Sequence, residues 1–460
     1  MPEFIGDNNF TLMRNYFSSG STRSYSFRKQ QLLALKKAVL KYDREINEAL
    51  FADLKKSVEE VYATETGLLI AEINTALKNL RKWMQPESVA TNLLNLPSSS
   101  KIYREPLGIV LIIAPWNYPF QLALVPLVGA IAAGNCVVLK PSELSPATSG
   151  IIEKIIKEIY SEEYVRVIQG DGVEIIPAMM NSFRFDHIFF TGSIPVGKII
   201  YQLAAKDLIP VTLELGGKSP AVVEADANIG VTARRIILGK FANAGQTCIA
   251  PDYILVDKKI KETFIKKLKE TIIYFFGDDA SASYDYGKII NEKRFDKLKS
   301  YLQQGKIIFG GENDRTKLFI APTIMEDVSL DSLLMTEEIF GPILPIYTFA
   351  KREDAVNIIQ RNPKPLSFYV FTSDPKKEKQ WIGRIQFGGG CINNACWHFA
   401  NHHLPFGGIG NSGVGSYHGK YSFDTFTHKK AVMKTATWFD PDLKYPPFKG
   451  KLKWFKLIIR

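Results

Sequence analysis

The stretch LGIVLIIAPWNYPFQLALVPLVGAIAAGNCVVLK, residues 107–140, indicates how this chain folds. It opens with a continuous apolar run of strand length, continues with an apolar run at 120–133 that suits a buried helix, and ends in a second strand-like run, CVVL, at 136–139. The helical run contains Pro126 and is shorter than the roughly 20 residues that cross a bilayer. A strand, a buried helix and a strand in succession are typical of a parallel βαβ unit.

The same alternation of strands and helices continues along the chain. Helices are predicted at 146–160, 173–181 and 195–206, and strands at VRVI (165–168), HIFF (187–190) and VTLEL (211–215). This α/β pattern predicts a doubly wound parallel sheet, the fold of dinucleotide-binding domains. From about 220 to 390, SPAVVE, YILVD and LSFYVF alternate with helical segments and predict a second α/β domain. Before the first sheet, the apolar spacing of residues 27–83 predicts two long amphipathic helices.

The composition is that of an ordinary globular protein, with 46% hydrophobic and 23% charged residues. The formal net charge is +11, but the segment 429–460 alone carries nine Lys and Arg against two Asp. The basic character therefore belongs mainly to the C-terminal end, and nucleic-acid binding by the rest of the chain is not expected. The first ten residues lack a secretory signal pattern, and four scattered cysteines suit a reducing cytoplasm.

The basic end of the chain, KGKLKWFKLIIR at 449–460, alternates lysines with large apolar residues. One interpretation is a short strand or helix that docks on the body of the protein. The other is a peripheral anchor that holds the protein near anionic lipid. The sequence leaves both interpretations open.

Cys248 stands in the stretch FANAGQTCIAPDY, residues 241–253, directly after a small and polar approach. Buried structural cysteines usually lie inside apolar runs, whereas this setting leaves a sulfur open to a reactant. The pattern alone does not separate a reactive thiol from a structural one.

Two further polar side chains follow predicted strands, where ligands bind in parallel sheets. Glu214 ends the strand in VTLELGGKSP, and a carboxyl group that is partly buried there has a raised pKa and suits a general base. Asn117 follows the strand in IIAPWNYPF, where its amide could donate to an oxyanion. The structural alternatives are an ion-paired loop glutamate and an asparagine that holds the loop shape.

The turn in HIFFTGSIPVGK places Gly192 at the start of a helix, where backbone N–H groups can face a phosphate. The stretch also resembles a P-loop, but Ile199 occupies the position that needs a hydroxyl for Mg²⁺, which disfavours a nucleotide hydrolase. In CVVLKPSE, Lys140 and Glu143 follow a strand at the position that faces an adenosine ribose. Because a cation and an acid are both present, NAD and NADP remain equally open.

The segment CINNACWHFANHH, residues 391–403, was considered as a metal site because it is rich in cysteine and histidine. Its spacing matches no tetrahedral zinc pattern, so no metal is expected. The sequence also offers no way to place one of its six histidines beside Cys248, which leaves a Cys/His hydrolase without support.

Six separated motifs resemble the aldehyde dehydrogenase superfamily. In chain order they are PWNYP with Asn117, KPSE with Lys140, FTGS, ELGGKSP with Glu214, GQTC with Cys248, and EEIFGP. The resemblance extends from about residue 10 to about residue 430. Within the superfamily, PWNYPFQL, GKIIYQLAA, CIAPDYIL and LPFGGIGNSGVGSYHGKYSFDTFTH are most similar to the class 3 and fatty aldehyde dehydrogenases.

The resemblance implies a thiol mechanism. Cys248 attacks the aldehyde, Asn117 and the Cys248 backbone N–H hold the oxyanion, and hydride transfer to NAD or NADP leaves a thioester. Glu214 then activates the water that hydrolyses the thioester. Family members that transfer the acyl group to coenzyme A generally lack this glutamate, so hydrolysis is expected. The implied cofactor contacts are Trp116, Lys140, Glu143, Gly192, Ser193, Glu338 and Phe340. A noncatalytic relative is the alternative, disfavoured because all three catalytic residue types are present.

The resemblance also implies substrates, partners and domains. Medium or long aliphatic or aromatic aldehydes are expected, with Tyr118, Trp397 and Phe406 as aromatic candidates for lining an apolar tunnel. Because the family buries an arm across a partner subunit, a homodimer is expected. The cysteine usage favours the cytoplasm, and contact of the basic tail with a membrane surface stays one of the two interpretations given above. The expected domains are a dinucleotide-binding domain at 1–83 and 104–210, a catalytic domain at 211–395, a small β oligomerisation arm at 84–103 and 396–430, and a basic tail at 431–460.

Overall fold

The computed structural model describes residues 7–459. The first six residues of the predicted dinucleotide-binding domain and the last residue of the predicted tail, Arg460, lie outside the described residues. The first helices are α1 (Asp7–Ser18), α2 (Tyr25–Lys41), α3 (Asp43–Leu54), α4 (Val58–Val61) and α5 (Gly67–Trp83), with a π-helical turn, Tyr62–Thr66, between the last two. The prediction of only two long helices in this region is wrong. The chain leaves the helical conformation at Lys55, which has a left-handed φ of 57°.

The first sheet has the predicted alternation. The elements that follow are β1 (Glu87–Val89), β2 (Ser98–Pro106), β3 (Ile109–Ile113), α6 (Gln121–Ala133), β4 (Cys136–Lys140), α7 (Pro146–Ile159), β5 (Val165–Val167), α8 (Gly172–Ser182), β6 (His187–Thr191), α9 (Ile194–Ala205) and β7 (Val211–Glu214). Five strands pair in parallel in the order β7-β6-β3-β4-β5. The chain starts at the central β3 and winds to both sides, which confirms the doubly wound sheet. The switch point, where ligands bind in this fold, lies between β3 and β6.

The second sheet belongs to the second α/β unit. Its part of the chain contains β8 (Pro220–Val223), α10 (Ile229–Phe241), β9 (Tyr253–Asp257), α11 (Lys261–Phe276), α12 (Glu292–Tyr301), β10 (Lys306–Phe309), β11 (Asn313–Asp314), β12 (Phe319–Ile320), β13 (Thr323–Glu326), α13 (Leu333–Thr336), β14 (Ile343–Phe349), α14 (Arg352–Gln360), β15 (Ser367–Phe371), α15 (Pro375–Arg384) and β16 (Gly389–Ile392). The strand order is β10-β13-β14-β9-β8-β15-β16, and only β10 is antiparallel to its neighbour.

The last elements are β17 (Gly413–Val414), α16 (Lys420–Thr425), β18 (Thr427–Thr435) and α17 (Leu452–Ile458). Strand β17 adds to the first sheet antiparallel to β7, while β18 pairs with β2 in a separate three-stranded antiparallel sheet in the order β1-β2-β18. Because β18 continues to Thr435, residues 431–435 of the predicted tail are part of this small sheet. The predicted domain boundaries otherwise stay a prediction.

Each large sheet has its own apolar core, and the catalytic candidates lie where the two cores approach each other. Every residue of α6 is buried, as its uniformly apolar sequence predicts, so this helix is a core element of the first unit. Half-buried Cys248 packs against the first core, whereas Cys396 packs against both. Within residues 7–459, no helix is both long and apolar enough to cross a membrane.

Candidate active site

Cys248 follows a sharp bend that the chain makes after α10. The 3₁₀ turn Ala242–Gly245 contains a left-handed residue, Asn243, with a φ of 51°. Gly245 has a φ of 75°, and a Cβ atom there would lie 2.3 Å from the carbonyl oxygen of Gly341, so only glycine fits. The bend places Cys248 on the wall of a cavity. The small residues before the cysteine are therefore required by the path of the chain.

The environment of Cys248 keeps its thiol protonated before a ligand arrives. Burial raises the pKa of the Cys248 thiol, and the nearby carboxyl groups of Glu338 and Glu214 raise this pKa further. A thiolate is the nucleophilic form, so its formation requires a change in this environment or the transfer of the proton to a neighbouring group.

Glu214 ends β7 and lines the same cavity as Cys248. Its side chain is buried, and neither carboxyl oxygen has a hydrogen-bond partner among the described residues. Burial therefore raises the pKa of Glu214 well above its ordinary value. The predicted alternative of an ion-paired loop glutamate does not hold, because the carboxyl group has no ion-pair partner within residues 7–459. A buried acid with free oxygens can exchange a proton with a water or a thiol in the cavity.

Asn117 lies in the loop that follows β3 and is held by the loop that carries Cys248. Its side-chain Nδ2 donates to the carbonyl oxygen of Gln246 at 3.0 Å. The backbone carbonyl oxygen of Asn117 accepts a hydrogen bond from Asn243 Nδ2 at 2.7 Å and another from Lys56 Nζ at 3.1 Å. One of the two hydrogens on the Asn117 side-chain amide is thus engaged by the loop that carries Cys248. Sequence reasoning missed Lys56 and Asn243, since no motif marks either residue.

The cavity has a volume of about 670 Å³, which lies in the range of small-molecule sites. The predicted substrate residues Tyr118, Trp397 and Phe406 line it together with Cys248 and Glu214. Sequence reasoning missed other apolar side chains of its wall, namely Leu122, Leu215, Leu238, Ile249, Phe275, Phe276, Phe399 and Tyr417. These come from separate elements, so no local periodicity could have grouped them.

Asn117 and the predicted cofactor residues lie outside the lining of this cavity. The residues concerned are Trp116, Lys140, Glu143, Gly192, Ser193, Glu338 and Phe340. Gly192 donates its backbone N–H to the carbonyl oxygen of Glu214 at 3.0 Å, which joins the ends of β6 and β7. Ser193 is the exposed N-cap of α9, and its side chain makes no capping bond to the helix. The start of this helix can accept a phosphate group.

Lys140 and Glu143 form an ion pair at the end of β4. The lysine is buried, whereas the Glu143 side chain is partly exposed. A carboxylate here can accept from a ribose hydroxyl, and a lysine can bind a phosphate. The paired arrangement supplies both groups together, so the preference between NAD and NADP remains open.

Glu338, Phe340 and Trp116 lie at the opposite end of the predicted cofactor site. The Phe340 and Trp116 rings meet edge to face with centroids 5.3 Å apart. Phe340 has a left-handed φ of 49°, which turns the backbone after Glu338. Burial raises the pKa of Glu338 to about 8, and the nearby Asp252 carboxylate contributes to this increase. A hydrogen bond from the backbone of Gly217 has the opposite effect and lowers this pKa.

The cysteines and histidines near residue 400 do not assemble a metal site in the described structure. Cys391 Sγ lies 3.7 Å from His398 Nδ1. No group of three or more metal-ligating His, Cys, Asp or Glu side chains occurs in the described part of the chain.

A doubly wound sheet, a second sheet that is mostly parallel and a cavity lined by both a thiol and a buried carboxyl group are typical of an α/β enzyme with a nucleophilic cysteine. The model of the aldehyde dehydrogenase family matches residues 7–432, and the chain belongs to that family. It is an NAD(P)-dependent aldehyde dehydrogenase.

Curated relatives match the chain over almost all of its length. The 4,4'-diaponeurosporen-aldehyde dehydrogenase of Staphylococcus aureus is 48% identical over 97% of this chain and 97% of its own. Aldehyde dehydrogenase family 3 member A2 of Rattus norvegicus is 44% identical over 97% of this chain and 93% of its own. The resemblance to class 3 and fatty members is thus confirmed at the level of family 3.

Solved structures agree with these relatives. The substrate-bound AldH of Staphylococcus aureus superposes with a TM-score of 0.96 at 46% identity, over 99% of each chain. A glyceraldehyde-3-phosphate dehydrogenase of Methanocaldococcus jannaschii in complex with NADP has a TM-score of 0.83 at 26% identity, over 93% of this chain and 94% of its own. The NAD-dependent aldehyde dehydrogenase of Sinorhizobium meliloti has a TM-score of 0.84 at 29% identity, over 94% and 88%.

Proposed function

We propose that this enzyme oxidises medium- to long-chain aliphatic or aromatic aldehydes to carboxylic acids through a thioester on Cys248, and that the thioester is then hydrolysed. The observation that carries this proposal is the shared cavity, where Cys248 faces the same apolar space as the Glu214 carboxyl group, which has no hydrogen-bond partner among the described residues. A nucleophile and a proton acceptor in one cavity are what acyl formation and hydrolysis both require.

Cys248 attacks the aldehyde carbon as the thiolate. The carbonyl oxygen becomes an oxyanion that accepts from the second amide hydrogen of Asn117 and from the Cys248 backbone N–H. The thiol proton leaves through the cavity, where Glu214 is a candidate acceptor because it lines the same cavity and its oxygens carry no hydrogen bond among the described residues. Burial favours the neutral form of Glu214, so it accepts a proton readily.

The residues present fit a dinucleotide. The uncapped start of α9 at Gly192 and Ser193 suits its pyrophosphate, Lys140 and Glu143 suit the adenosine ribose, and Glu338, Phe340 and Trp116 suit the nicotinamide end. When bound, NAD or NADP supplies the hydride acceptor. The role of these residues is to hold it beside Cys248.

Hydrolysis completes the reaction because Glu214 can activate water. Once Glu214 has released the thiol proton to solvent through the cavity, its carboxylate takes a proton from the water that attacks the thioester carbon. The C–S bond then breaks, Cys248 is released as the thiolate, and the carboxylic acid leaves. The presence of this glutamate argues against transfer of the acyl group to coenzyme A.

The aldehyde specificity follows from the cavity wall. Tyr118, Trp397 and Phe406 provide aromatic surface, and each buried methylene of a substrate contributes about 0.8 kcal/mol. We therefore expect kcat/KM to rise from acetaldehyde through hexanal to hexadecanal, with benzaldehyde also accepted. The measurement is the initial rate of reduced-nicotinamide formation, with NAD and NADP in parallel. No reduction with any aldehyde, from protein that binds the cofactor, would contradict the proposed function.

A homodimer is part of the proposal. The small sheet β1-β2-β18 has two unpaired edge strands within the described chain, and β18 is exposed at every residue after Thr427. Exposed sheet edges pair readily with another chain. The segments 84–103 and 396–430 are proposed as the oligomerisation arm. Sedimentation velocity should give twice the mass of the chain, and a monomer at micromolar concentration would contradict the dimer.

A cytoplasmic enzyme with a peripheral membrane contact is also proposed, through the tail at 431–460. The helix α17 buries none of its residues, and Leu452, Trp454 and Leu457 are 63%, 56% and 60% exposed. Lysines 451, 453 and 456 lie among these apolar side chains. Exposed apolar side chains mixed with lysines are suited to an anionic lipid surface.

Truncation of the chain after Tyr445 tests this contact. The shortened enzyme should lose binding to vesicles that contain phosphatidylserine, because each lysine near such a surface contributes about 1 kcal/mol. Its rate with hexanal in solution should stay unchanged, since the active-site cavity draws on no residue beyond His418 within the described chain. Vesicle co-sedimentation of the two proteins is the measurement, with neutral vesicles as the control. Equal binding by both proteins would exclude the tail as the anchor.

A further inference from the structure

Lys56 is a fully buried cation that touches the loop of Asn117 without lining the substrate cavity. Its Nζ donates to Glu65 Oε1 at 2.6 Å and to the carbonyl oxygen of Asn117 at 3.1 Å. The same Nζ lies 3.9 Å from the centre of the Tyr118 ring. A buried lysine needs compensation for its lost hydration. Among the described residues, Lys56 Nζ donates hydrogen bonds to Glu65 and to this loop, and the buried carboxyl group of Glu60 is a further electrostatic partner.

Glu65 fixes the other end of the same loop. Its second oxygen, Oε2, accepts the backbone N–H of Gln121, the first residue of α6, at 2.8 Å. Glu65 lies in the π-helical turn Tyr62–Thr66, where the extra residue per turn changes the direction of the side chain. Short π-helical segments are frequent at functional sites. The Lys56–Glu65 pair is therefore hydrogen-bonded to both ends of the segment 117–121.

We propose that Lys56, held by Glu65, is the positioning residue that orients the Asn117 amide for the reaction at Cys248. Lys56 acts through the backbone and touches neither reacting atoms nor cofactor candidates. An oxyanion donor is effective only if it is already aimed where the charge develops, and a shift of about 1 Å costs up to about a hundredfold in rate. Glu65 holds the Lys56 ammonium group in place, and this group in turn holds the backbone carbonyl of Asn117.

This inference rests on the proposed function of Asn117, and a double-mutant cycle tests it. The readout is the single-turnover rate of reduced-nicotinamide formation at saturating cofactor. Asn117→Ala should lose about a hundredfold by removing one oxyanion donor. Lys56→Met should lose about tenfold or more, with an unchanged dissociation constant for NAD. The double variant Lys56→Met/Asn117→Ala should be no slower than Asn117→Ala, because the lysine acts through the amide that is already absent.

A purely structural role for Lys56 predicts a different result. The double variant would then be slower than Asn117→Ala by the same factor by which Lys56→Met is slower than the wild type, and this outcome would overturn the inference. A full rate in Lys56→Met would overturn it as well. A wild-type enzyme that forms no reduced nicotinamide in a single turnover would contradict the proposed function itself, and the inference with it. The two failures are therefore distinguishable.

Two further variants keep the test interpretable. Lys56→Met leaves a buried carboxylate without its partner, which can prevent folding. Lys56→Met/Glu65→Gln removes both charges and keeps an oxygen for the Gln121 N–H, so it should fold and show the same loss of rate. Its full activity would overturn the proposal. The matched control is Lys267→Met, which removes a lysine from an exposed ion pair with Glu270 and should keep the wild-type rate.

Discussion

Replacement of Cys248 by serine is expected to lower the steady-state rate of aldehyde oxidation at least a hundredfold. The change exchanges one atom and keeps the shape of the cavity wall, so the thermal midpoint of unfolding should stay close to that of the wild type. The loss has a chemical cause, because a hydroxyl is far less ionised than a thiol and is the poorer nucleophile. Initial rates with hexanal and NAD or NADP provide the measurement.

The matched control for this prediction is Cys391→Ser. Cys391 is half-buried like Cys248, but it lies outside the lining of the cavity and faces His398. This variant should keep its activity and remain sensitive to iodoacetamide, with protection by aldehyde or cofactor. A near-normal rate in Cys248→Ser would mean that the nucleophile is a different residue.

The second large effect is expected from Glu214→Gln. An amide cannot accept the proton of the attacking water, so the variant should complete one round of hydride transfer and then accumulate the thioester. Loss of a general base lowers a rate by about 10²–10⁴-fold. Stopped-flow absorbance should show a burst of one reduced nicotinamide per site followed by slow turnover, and mass spectrometry should find the acyl group on Cys248.

The pH dependence has a defined sign. Burial raises the pKa of Glu214, and only the ionised form accepts a proton, so the rate of thioester hydrolysis should increase as the pH rises through that pKa. This increase should be absent in Glu214→Gln. Hydroxylamine, which attacks thioesters without a base, should restore turnover in the variant.

A control for the glutamate is Glu72→Gln. Glu72 is also buried with a pKa raised by burial to about 7, but it accepts from Gly419 N–H and lies outside the main cavity. Its replacement should leave the steady-state rate and the stopped-flow time course of the wild type unchanged. Undiminished steady-state turnover in Glu214→Gln would remove Glu214 from the mechanism.

The secondary structure of the first α/β unit, and three of the seven strands in the main sheet of the second, could be predicted because the signals are local. Apolar runs of strand length alternate with helical periodicity from residue 107 onward, and burial on both faces leaves few alternatives to a parallel sheet. The prediction failed before the first sheet, at Lys55 and in the π-helical turn after Val61. A left-handed lysine and a π-helical turn are stabilised by tertiary contacts and have no distinct sequence signature.

The candidate site was accessible to sequence reasoning where motifs lie at strand ends. Asn117 lies in the loop after β3, and Glu214 is the last residue of β7. The carboxyl ends of parallel strands lie at the same edge of a sheet. Cys248 was ambiguous on its pattern alone, because a turn-like approach does not reveal what the sulfur faces. The structure explains why small residues precede Cys248. The bend at Gly245 leaves no room for a side chain, and it places Cys248 on the wall of the cavity.

The strand and helix alternation of the first unit, the buried character of α6 and the residue types at the strand ends can be read from the amino-acid sequence, since each depends on neighbours a few positions away. Which distant groups meet is fixed by the tertiary structure. It joined Lys56 and Glu65 to the loop of Asn117, and it left both oxygens of Glu214 without a partner among the described residues. Such contacts depend on the packing of entire elements, which fixes distances between residues that no local pattern relates.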